Sequence, residues 1–244
     1  MSVRVLTGDS RELMPANGPF DLVIADPPYG DTALDWDKKV RGWEAIALSC
    51  LKPTGSMWVF GSMRYFLAGG VPKGWRYAQD VVWEKANGTG FAADRFKRVH
   101  EHAVQLYPAD ALWSTVYNDV QRQPYSGPNK HVRRRNVARG IHLGAIAHSS
   151  YQDDGTRIMR SIVPVPSVRG GIHRTQKPVA LLEILIRTSC PPHGVVGDFF
   201  AGSGSAGEAS AISGRNYVGC EIDPVTAAAA RDRLSQSLFG GEAA

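Results

Sequence analysis

The chain has 244 residues, 43% of them apolar, and a formal net charge of +5. So much apolar content supports a sizeable core and excludes a globally disordered chain. No apolar run reaches the roughly 18 residues that a membrane-spanning helix requires, and the first residues lack the layout of a secretory signal peptide. The three cysteines, Cys50, Cys190 and Cys220, are far apart. They fit a cytoplasmic protein better than a disulfide framework or structural zinc.

Strands and helices alternate along most of the chain. Apolar runs predict strands near 3–6, 22–25, 56–60, 80–83, 103–107, 195–199 and 217–221. Helical spacing and breaker residues predict helices over 43–51, 178–189, 205–213 and 224–238. This alternation favours an α/β fold in which a mostly parallel sheet is covered on both faces.

Residues 109–172 interrupt the alternation, being rich in Pro, Gly, Arg, Ser and Asn. An irregular stretch of this length in a compact domain is usually functional or mobile. Within it, basic side chains crowd into ten residues: Lys130, His131, Arg133, Arg134, Arg135 and Arg139. Such a cluster favours contact with nucleic acid, and a solvated loop is the simpler interpretation.

The tetrapeptide Asp26-Pro27-Pro28-Tyr29 directly follows the predicted strand 22–25. Its prolines end that strand abruptly and present a carboxylate and an aromatic ring at the carboxyl edge, where open α/β sheets bind ligands. These groups could bind an exocyclic amine on a flat ring. Asp26 accepts one N–H, the Pro27 carbonyl accepts the other, and Tyr29 stacks on the ring. The simpler interpretation makes Asp26 a turn cap and Tyr29 a core aromatic.

A glycine-rich turn over residues 198–207 contains G-x-G-x-x-G between a predicted strand and a predicted helix. Its glycines let a ligand approach the backbone, and Glu221 after the next strand suits ribose hydroxyls. Nicotinamide dinucleotides and S-adenosylmethionine both bind to such turns. Asp198 favours the second, because a carboxylate there would repel a pyrophosphate and attract the ammonium of a methionine moiety. A tight turn without a ligand is the alternative.

Together the two motifs resemble those of the DNA amino-methyltransferases. That family carries catalysis on D/N/S-P-P-Y/F/W, here residues 26–29, and binds S-adenosylmethionine on F-x-G-x-G, here residues 200–204. The catalytic motif precedes the cofactor motif, an order that resembles the circularly permuted β group. The usual D-P-F-x-G-S-G-T has Phe199 in place of its proline and Ser205 in place of its threonine, and both changes keep the turn glycines.

The resemblance implies roles for further residues. A T-x-K-P run that contacts the methionine part of the cofactor corresponds to residues 175–178, and an acid that reaches the cofactor adenine lies in segment 7–10. Segments 83–85 and 100–102 resemble those that flank the recognition region. The implied cofactor-binding residues are Asp9, Lys177, Pro178, Asp198, Phe200, Gly202, Ser203, Gly204 and Glu221.

The implied fold is a Rossmann-like S-adenosylmethionine-dependent methyltransferase fold with a mostly parallel seven-stranded sheet. The strands at 195–199 and 217–221 are the first two of that fold, the three nearest the N-terminus are the next three, and the last two form a hairpin. On this basis residues 1–108 are the catalytic half of the domain, 109–172 a target-recognition insert and 173–244 the cofactor-binding half.

The implied reaction is direct methyl transfer from S-adenosylmethionine to an exocyclic amine of a DNA base. Asp26 and the Pro27 carbonyl localise the lone pair of the amine, and the carboxylate stabilises the positive charge that develops there. Because the amine is inaccessible within a duplex, the base is expected to flip out. Aspartate in the first motif position accompanies adenine in most of the family, so adenine N6 is the expected target.

Double-stranded DNA is therefore the expected partner, and a homodimer is expected by analogy with the permuted group. The expected phosphate contacts are Lys130, Arg133, Arg134, Arg135 and Arg139. No metal site is predicted. Three alternatives stay open: a cytosine-N4 or RNA amino-methyltransferase, a non-catalytic DNA-binding subunit of a methyltransferase complex, and a nicotinamide-dependent oxidoreductase. The last would explain the glycine turn but leave residues 26–29 without a role.

Overall fold

The structure, a computed structural model, describes residues 1–30, 37–89, 93–125, 154–168 and 176–239. The chain forms two compact units, one of Met1–Val120 with Arg160–Ala244 and one of Gln121–Met159. The predicted DNA-contacting residues, Lys130, Arg133, Arg134, Arg135 and Arg139, lie outside the described residues. Within those residues, no helix combines the length and the apolar character needed to cross a membrane.

The described residues contain ten strands and six α-helices. The strands are β1 (Val3–Thr7), β2 (Phe20–Ala25), β3 (Leu51–Gly61), β4 (Trp75–Thr89), β5 (Arg98–Pro108), β6 (Arg122–Pro124), β7 (Thr156–Ile158), β8 (Ile162–Pro164), β9 (Val195–Asp198) and β10 (Asn216–Glu221). The helices are α1 (Ser10–Leu13), α2 (Trp43–Ser49), α3 (Met63–Gly69), α4 (Val179–Ser189), α5 (Ser205–Ile212) and α6 (Pro224–Phe239).

The larger unit is built on one sheet with the strand order β1-β10-β9-β2-β3-β5-β4-β8. The first five strands in this order run parallel, and β5 runs antiparallel to both β3 and β4. All seven predicted strands form, and the permuted chain rebuilds the predicted sheet with its final hairpin. The fold class is therefore as expected for a Rossmann-like methyltransferase.

One strand of this sheet was not predicted. The short strand β8 pairs with β4 and adds an eighth strand at the edge. It has only three residues, of which Val163 alone is buried, so it carries no periodicity that a sequence pattern could reveal. Residues 109–120 and 160–168, which were grouped with the insert, belong to the larger unit. The assignment of 109–172 to target recognition stays a prediction.

Helices cover both faces of the sheet. Leu22 and Ile24 of β2 face one core, which includes the buried side chains of α4, α5 and α6. Val23 and Ala25 face the other core, where Trp43 of α2 packs. Burial on both faces explains why β2 is apolar almost throughout.

The register of the sheet brings the two sequence motifs to one edge. Ile24 of β2 lies beside Asp198 of β9, and each strand ends within one residue of that pair. At the neighbouring strands, Thr7 of β1 lies beside Glu221 of β10. Residues 26–29 and the glycine turn therefore leave the sheet together at its carboxyl edge.

The smaller unit has an antiparallel pair of strands, β6 and β7. The guanidinium of Arg157 lies 3.3 Å from the centroid of the Tyr125 ring. Arg122 donates to Thr156 Oγ1 at 2.7 Å and pairs with Asp154 at 3.4 Å.

Candidate active site

The glycine turn between β9 and α5 contains two glycines with left-handed backbone, Gly202 at φ +50° and Gly204 at φ +75°. A Cβ on Gly204 would lie 3.2 Å from the Cβ of Ala230, so this glycine lets α5 pack against α6. A Cβ on Gly202 would meet no atom of the described residues nearer than Phe200 O at 3.9 Å. The space in front of Gly202 is therefore open to a ligand that approaches the backbone.

Asp198 is buried directly before this turn. Its carboxylate accepts the Phe200 N–H at 3.1 Å and the Tyr217 hydroxyl at 2.9 Å. Burial raises the pKa of Asp198 to about 7, and the charges of Asp26 and Glu221 act in the same direction. The hydrogen bonds from Phe200 and Tyr217 lower this pKa, but by less than burial and the two charges raise it. A cation bound beside Asp198 would stabilise its charged form, so the site favours a cationic ligand.

Glu221 joins the glycine turn to the end of β10. Its carboxylate accepts the Gly202 N–H at 2.8 Å and the Asp223 N–H at 3.0 Å, one bond to each oxygen. Glu221 is thereby held beside the open face of the turn. An ionised carboxylate has further lone pairs, which suit the ribose hydroxyls that the sequence predicted.

Three other predicted cofactor residues have structural partners as well. The Ser203 hydroxyl lies 3.1 Å from that of Ser205. Phe200 packs edge-on against Trp43 with ring centroids 5.3 Å apart. Asp9 caps α1 through the Arg11 N–H at 2.9 Å and pairs with the guanidinium of Arg11 at 2.5 Å.

Asp26 lies immediately after β2, and both of its carboxylate oxygens accept hydrogen bonds. The Tyr29 hydroxyl donates to Oδ1 at 2.6 Å, and the Lys177 ammonium donates to Oδ2 at 2.5 Å. Lys177 is buried one residue before Pro178, which caps α4. The sequence assigned Lys177 to the cofactor, and in the structure its ammonium contacts the predicted catalytic carboxylate.

The remaining residues of the tetrapeptide hold it in place. Pro27 is buried. After the tetrapeptide, the Gly30 N–H donates to the Asp37 carboxylate at 2.8 Å, which fixes the turn. The Tyr29 ring lies 5.4 Å from that of Tyr65 in a tilted arrangement. Burial, followed by the charges of Asp26 and Glu101, raises the pKa of Tyr29 well above its usual value, so its hydroxyl is a donor at neutral pH.

Two charged residues of this site escaped the sequence predictions. Glu101 of β5 accepts from Tyr29 at 2.9 Å and lies 3.1 Å from the Lys177 ammonium, both through Oε1. Lys85 of β4 donates to its other oxygen at 2.6 Å. Both lie in segments that resemble family segments, and that was the only signal in the sequence. Their approach to Asp26 depends on strand pairing, which the sequence does not display.

Ion pairing dominates the protonation of these groups. Burial opposes the charge of Glu101, but Lys177 and Lys85 outweigh it and lower its pKa to about 2. Burial likewise opposes the charge of Lys177, and Asp26 and Glu101 outweigh it, so the pKa of Lys177 is raised. Both side chains are therefore ionised at neutral pH.

The arrangement places the acids Asp198 and Glu221 beside an open glycine turn and next to the Asp26 carboxylate. Open space at Gly202 and the acids Asp198 and Glu221 fit a nucleoside that carries a cationic methionine moiety, which is the chemistry of S-adenosylmethionine. In the part of the chain that the structure describes, no group of three or more His, Cys, Asp and Glu side chains could hold a metal ion.

Comparison with known proteins defines the class. A family model described as DNA methylase, of the N6/N4 type, matches residues 20–232. The chain belongs to the N6/N4 DNA amino-methyltransferase family. This membership confirms the family predicted from the sequence, its methyltransferase fold and S-adenosylmethionine as the cofactor.

Individual relatives agree with that assignment. Type II methyltransferase M1.MboII from Moraxella bovis is 26% identical over 231 residues, which cover 85% of this chain and 86% of the relative. The solved M1.HpyAVI–SAM complex has a TM-score of 0.63 at 23% identity and covers 95% of this chain and 99% of its own. The cytosine-N4-specific PvuII DNA methyltransferase has a TM-score of 0.61 at 17% identity, covering 98% and 94%.

We predict that Gly202→Val weakens S-adenosylmethionine binding by at least about tenfold, because the side chain fills the open face of the turn. Gly214→Val is the matched control. Gly214 also has positive φ, at +72°, and a Cβ there would meet nothing within 4 Å in the described parts of the chain. Both variants lose about 1 kcal/mol of backbone stability. Calorimetric titration that gives the two variants equal affinities would contradict the assignment.

We also predict a pH-dependent cofactor affinity. Below about pH 7 Asp198 is protonated in the free protein, and binding a cation must release that proton. The dissociation constant should therefore fall as pH rises toward 7, by up to about tenfold per unit, and then level off. Asp198→Asn should bind more weakly and lose this component of the profile. Parallel profiles for the two proteins between pH 5.5 and 8.5 would exclude Asp198 as the titrating group.

Proposed function

We propose that this DNA amino-methyltransferase transfers the methyl group of S-adenosylmethionine to N6 of an adenine that is turned out of the DNA duplex. The observation that carries the proposal is the Asp26 carboxylate at the edge of the sheet, held by Tyr29 and Lys177 beside the cofactor turn. A carboxylate held in this way lies at the position where the amine can donate an N–H to it.

The reaction follows from these groups. S-adenosylmethionine supplies a methyl group on a cationic sulfur. Asp26 and the Pro27 carbonyl orient the exocyclic amine and localise its lone pair, so that the nitrogen attacks along the methyl–sulfur axis. As the nitrogen–carbon bond forms, the methyl–sulfur bond breaks, its electron pair stays on sulfur and S-adenosylhomocysteine leaves. The Asp26 carboxylate stabilises the positive charge that develops on the nitrogen, which then loses a proton to solvent. Tyr29 stacks on the displaced base and repays part of the cost of unstacking it.

The choice of adenine rests on the aspartate at position 26. In families that resemble this chain, that residue accompanies adenine more often than cytosine. The fold does not decide between the bases, because the cytosine-N4-specific PvuII enzyme shares it. Cytosine N4 is the second candidate, since both bases present an exocyclic amine beside a ring nitrogen.

Recognition of DNA is assigned to residues 109–172. In this proposal Lys130, Arg133, Arg134, Arg135 and Arg139 contact phosphates of double-stranded DNA. The enzyme acts in the cytoplasm as a homodimer. Residues 1–108 and 173–244 supply the catalytic and cofactor-binding halves of one domain.

We predict that expression in a methylation-free bacterial host adds N6-methyladenine to the host DNA and that Asp26→Ala abolishes it. Lys177 keeps Glu101 as a partner in this variant, so cofactor affinity should change only a few-fold. Mass spectrometry of digested nucleosides gives the modified base. Asp232→Ala, which removes an exposed carboxylate on α6, is the control and should behave as the wild type.

Each other outcome revises the proposal in a definite way. N4-methylcytosine that depends on Asp26 would retain the mechanism and replace adenine as the target. Methylation that persists in Asp26→Ala would remove the carboxylate from the reaction. Bound cofactor without any modified DNA base would favour RNA or a non-catalytic role in a complex.

Tyr29 offers a separate test of the stacking role. We predict that Tyr29→Phe keeps methylation within about tenfold of the wild type, because the ring survives. Tyr29→Ala should weaken binding of a duplex with the target site by about 1–3 kcal/mol. Duplex affinity is measured for both variants. If Tyr29→Phe lost as much affinity as Tyr29→Ala, the hydroxyl and not the ring would be the functional part of this side chain.

A further inference from the structure

The predicted catalytic carboxylate and three other side chains form a closed ring of polar contacts. Asp26 and Glu101 share the Tyr29 hydroxyl, at 2.6 and 2.9 Å. They also share the Lys177 ammonium, at 2.5 and 3.1 Å. The same Oε1 atom of Glu101 makes both of its contacts in the ring.

This ring poses a problem for the reaction. Both oxygens of Asp26 are occupied by Tyr29 and Lys177, yet the amine of the base has to donate to one of them. When the Tyr29 hydroxyl or the Lys177 ammonium loses its bond to Asp26, it needs another acceptor. A buried hydroxyl or ammonium without a partner costs folding free energy. Glu101 Oε1 already lies within hydrogen-bond distance of both donors, so neither needs to move far to remain bonded.

Resting on the proposed function, we propose that Glu101 is a positioning residue for methyl transfer, which retains the Tyr29 hydroxyl and the Lys177 ammonium when Asp26 turns to the amine. Glu101 frees a carboxylate oxygen for the substrate without leaving a buried donor unpaired. Asp26 remains the group that contacts the base.

Charge balance gives Glu101 a second effect. The site contains two carboxylates, Asp26 and Glu101, and two ammonium groups, Lys85 and Lys177. Among the described residues, Lys85 contacts this network through Glu101 Oε2, at 2.6 Å, and its ammonium lies 4.4 Å from the Trp83 ring centroid. Without the charge of Glu101, the site keeps an excess positive charge beside the nitrogen that becomes cationic in the transition state.

Glu101 acts in this proposal as an ionised acceptor. The two lysines lower the pKa of Glu101 to about 2, which favours its charged form at neutral pH. Its contribution is a fixed negative charge and a fixed acceptor.

A double-mutant cycle that removes and then restores the balance of charge tests this role. It uses the full-length protein and a DNA duplex that contains the sequence found methylated in the expression host. Single-turnover rate constants at saturating cofactor are compared for the wild type, Glu101→Gln, Lys85→Met and the double variant. Glu84→Gln is the control, since it removes the same charge from an exposed side chain on β4. S-adenosylmethionine affinity and thermal stability are measured for each protein as evidence of folding.

We expect Glu101→Gln to lower the rate constant about 10- to 100-fold with little change in cofactor affinity. The double variant should recover at least several-fold of that loss, because removing Lys85 restores the balance of charge. Glu84→Gln should keep the wild-type rate.

Two results would overturn the inference: a Glu101→Gln enzyme as fast as the wild type, or a slow one that Lys85→Met does not improve. The second result would make Glu101 a purely structural residue. Wild type and Asp26→Ala in the same assay keep the two proposals apart, because methylation that requires Asp26 sustains the proposed function whatever Glu101 does.

Discussion

The Lys177 ammonium, buried between Asp26 and Glu101, is the interaction on which the site depends. It joins three parts of the chain that are far apart in sequence: the residues after β2, the strand β5, and the segment that leads into α4. A buried cation is tolerated only when it is paired and hydrogen-bonded. The two carboxylates therefore fix where these segments meet, and they tie the predicted cofactor-binding half of the chain to the predicted catalytic half.

The glycine turn shows that one motif can serve two physical purposes. Gly204 is required because α6 packs against the turn, and Gly207 because Tyr217 lies 2.9 Å from where its Cβ would be. Of the three glycines in this motif, Gly202 alone would direct a Cβ into space that is open among the described residues. A G-x-G-x-x-G pattern therefore mixes packing glycines with a ligand-facing one, which explains why the pattern by itself is weak evidence for a cofactor.

The sequence predicted those features that depend on local pattern. Apolar runs located seven strands, and the position of residues 26–29 after β2 placed the carboxylate at the edge. Features that depend on the pairing of distant strands could not be predicted from the sequence. Glu101 lies 75 residues after Asp26, and the pairing of β5 between β3 and β4 brings it to the Tyr29 hydroxyl and the Lys177 ammonium that Asp26 also contacts. The sequence predicted Lys177 as a site residue, but its contact with Asp26 is visible only in the three-dimensional structure.

The distribution of acids explains the preference for a cationic cofactor. Asp26 directly follows β2, Asp198 ends the adjacent strand β9, and Glu221 ends β10 on the other side of β9. Of these three acids, only Asp26 has an ammonium partner among the described residues. Asp198 is buried with hydrogen-bond donors alone, and the charges of Asp26 and Glu221 contribute to raising its pKa to about 7. A dinucleotide pyrophosphate would add negative charge to this edge. A cationic methionine moiety would instead relieve the repulsion, so the same acids that destabilise the empty site select the cofactor that fills it.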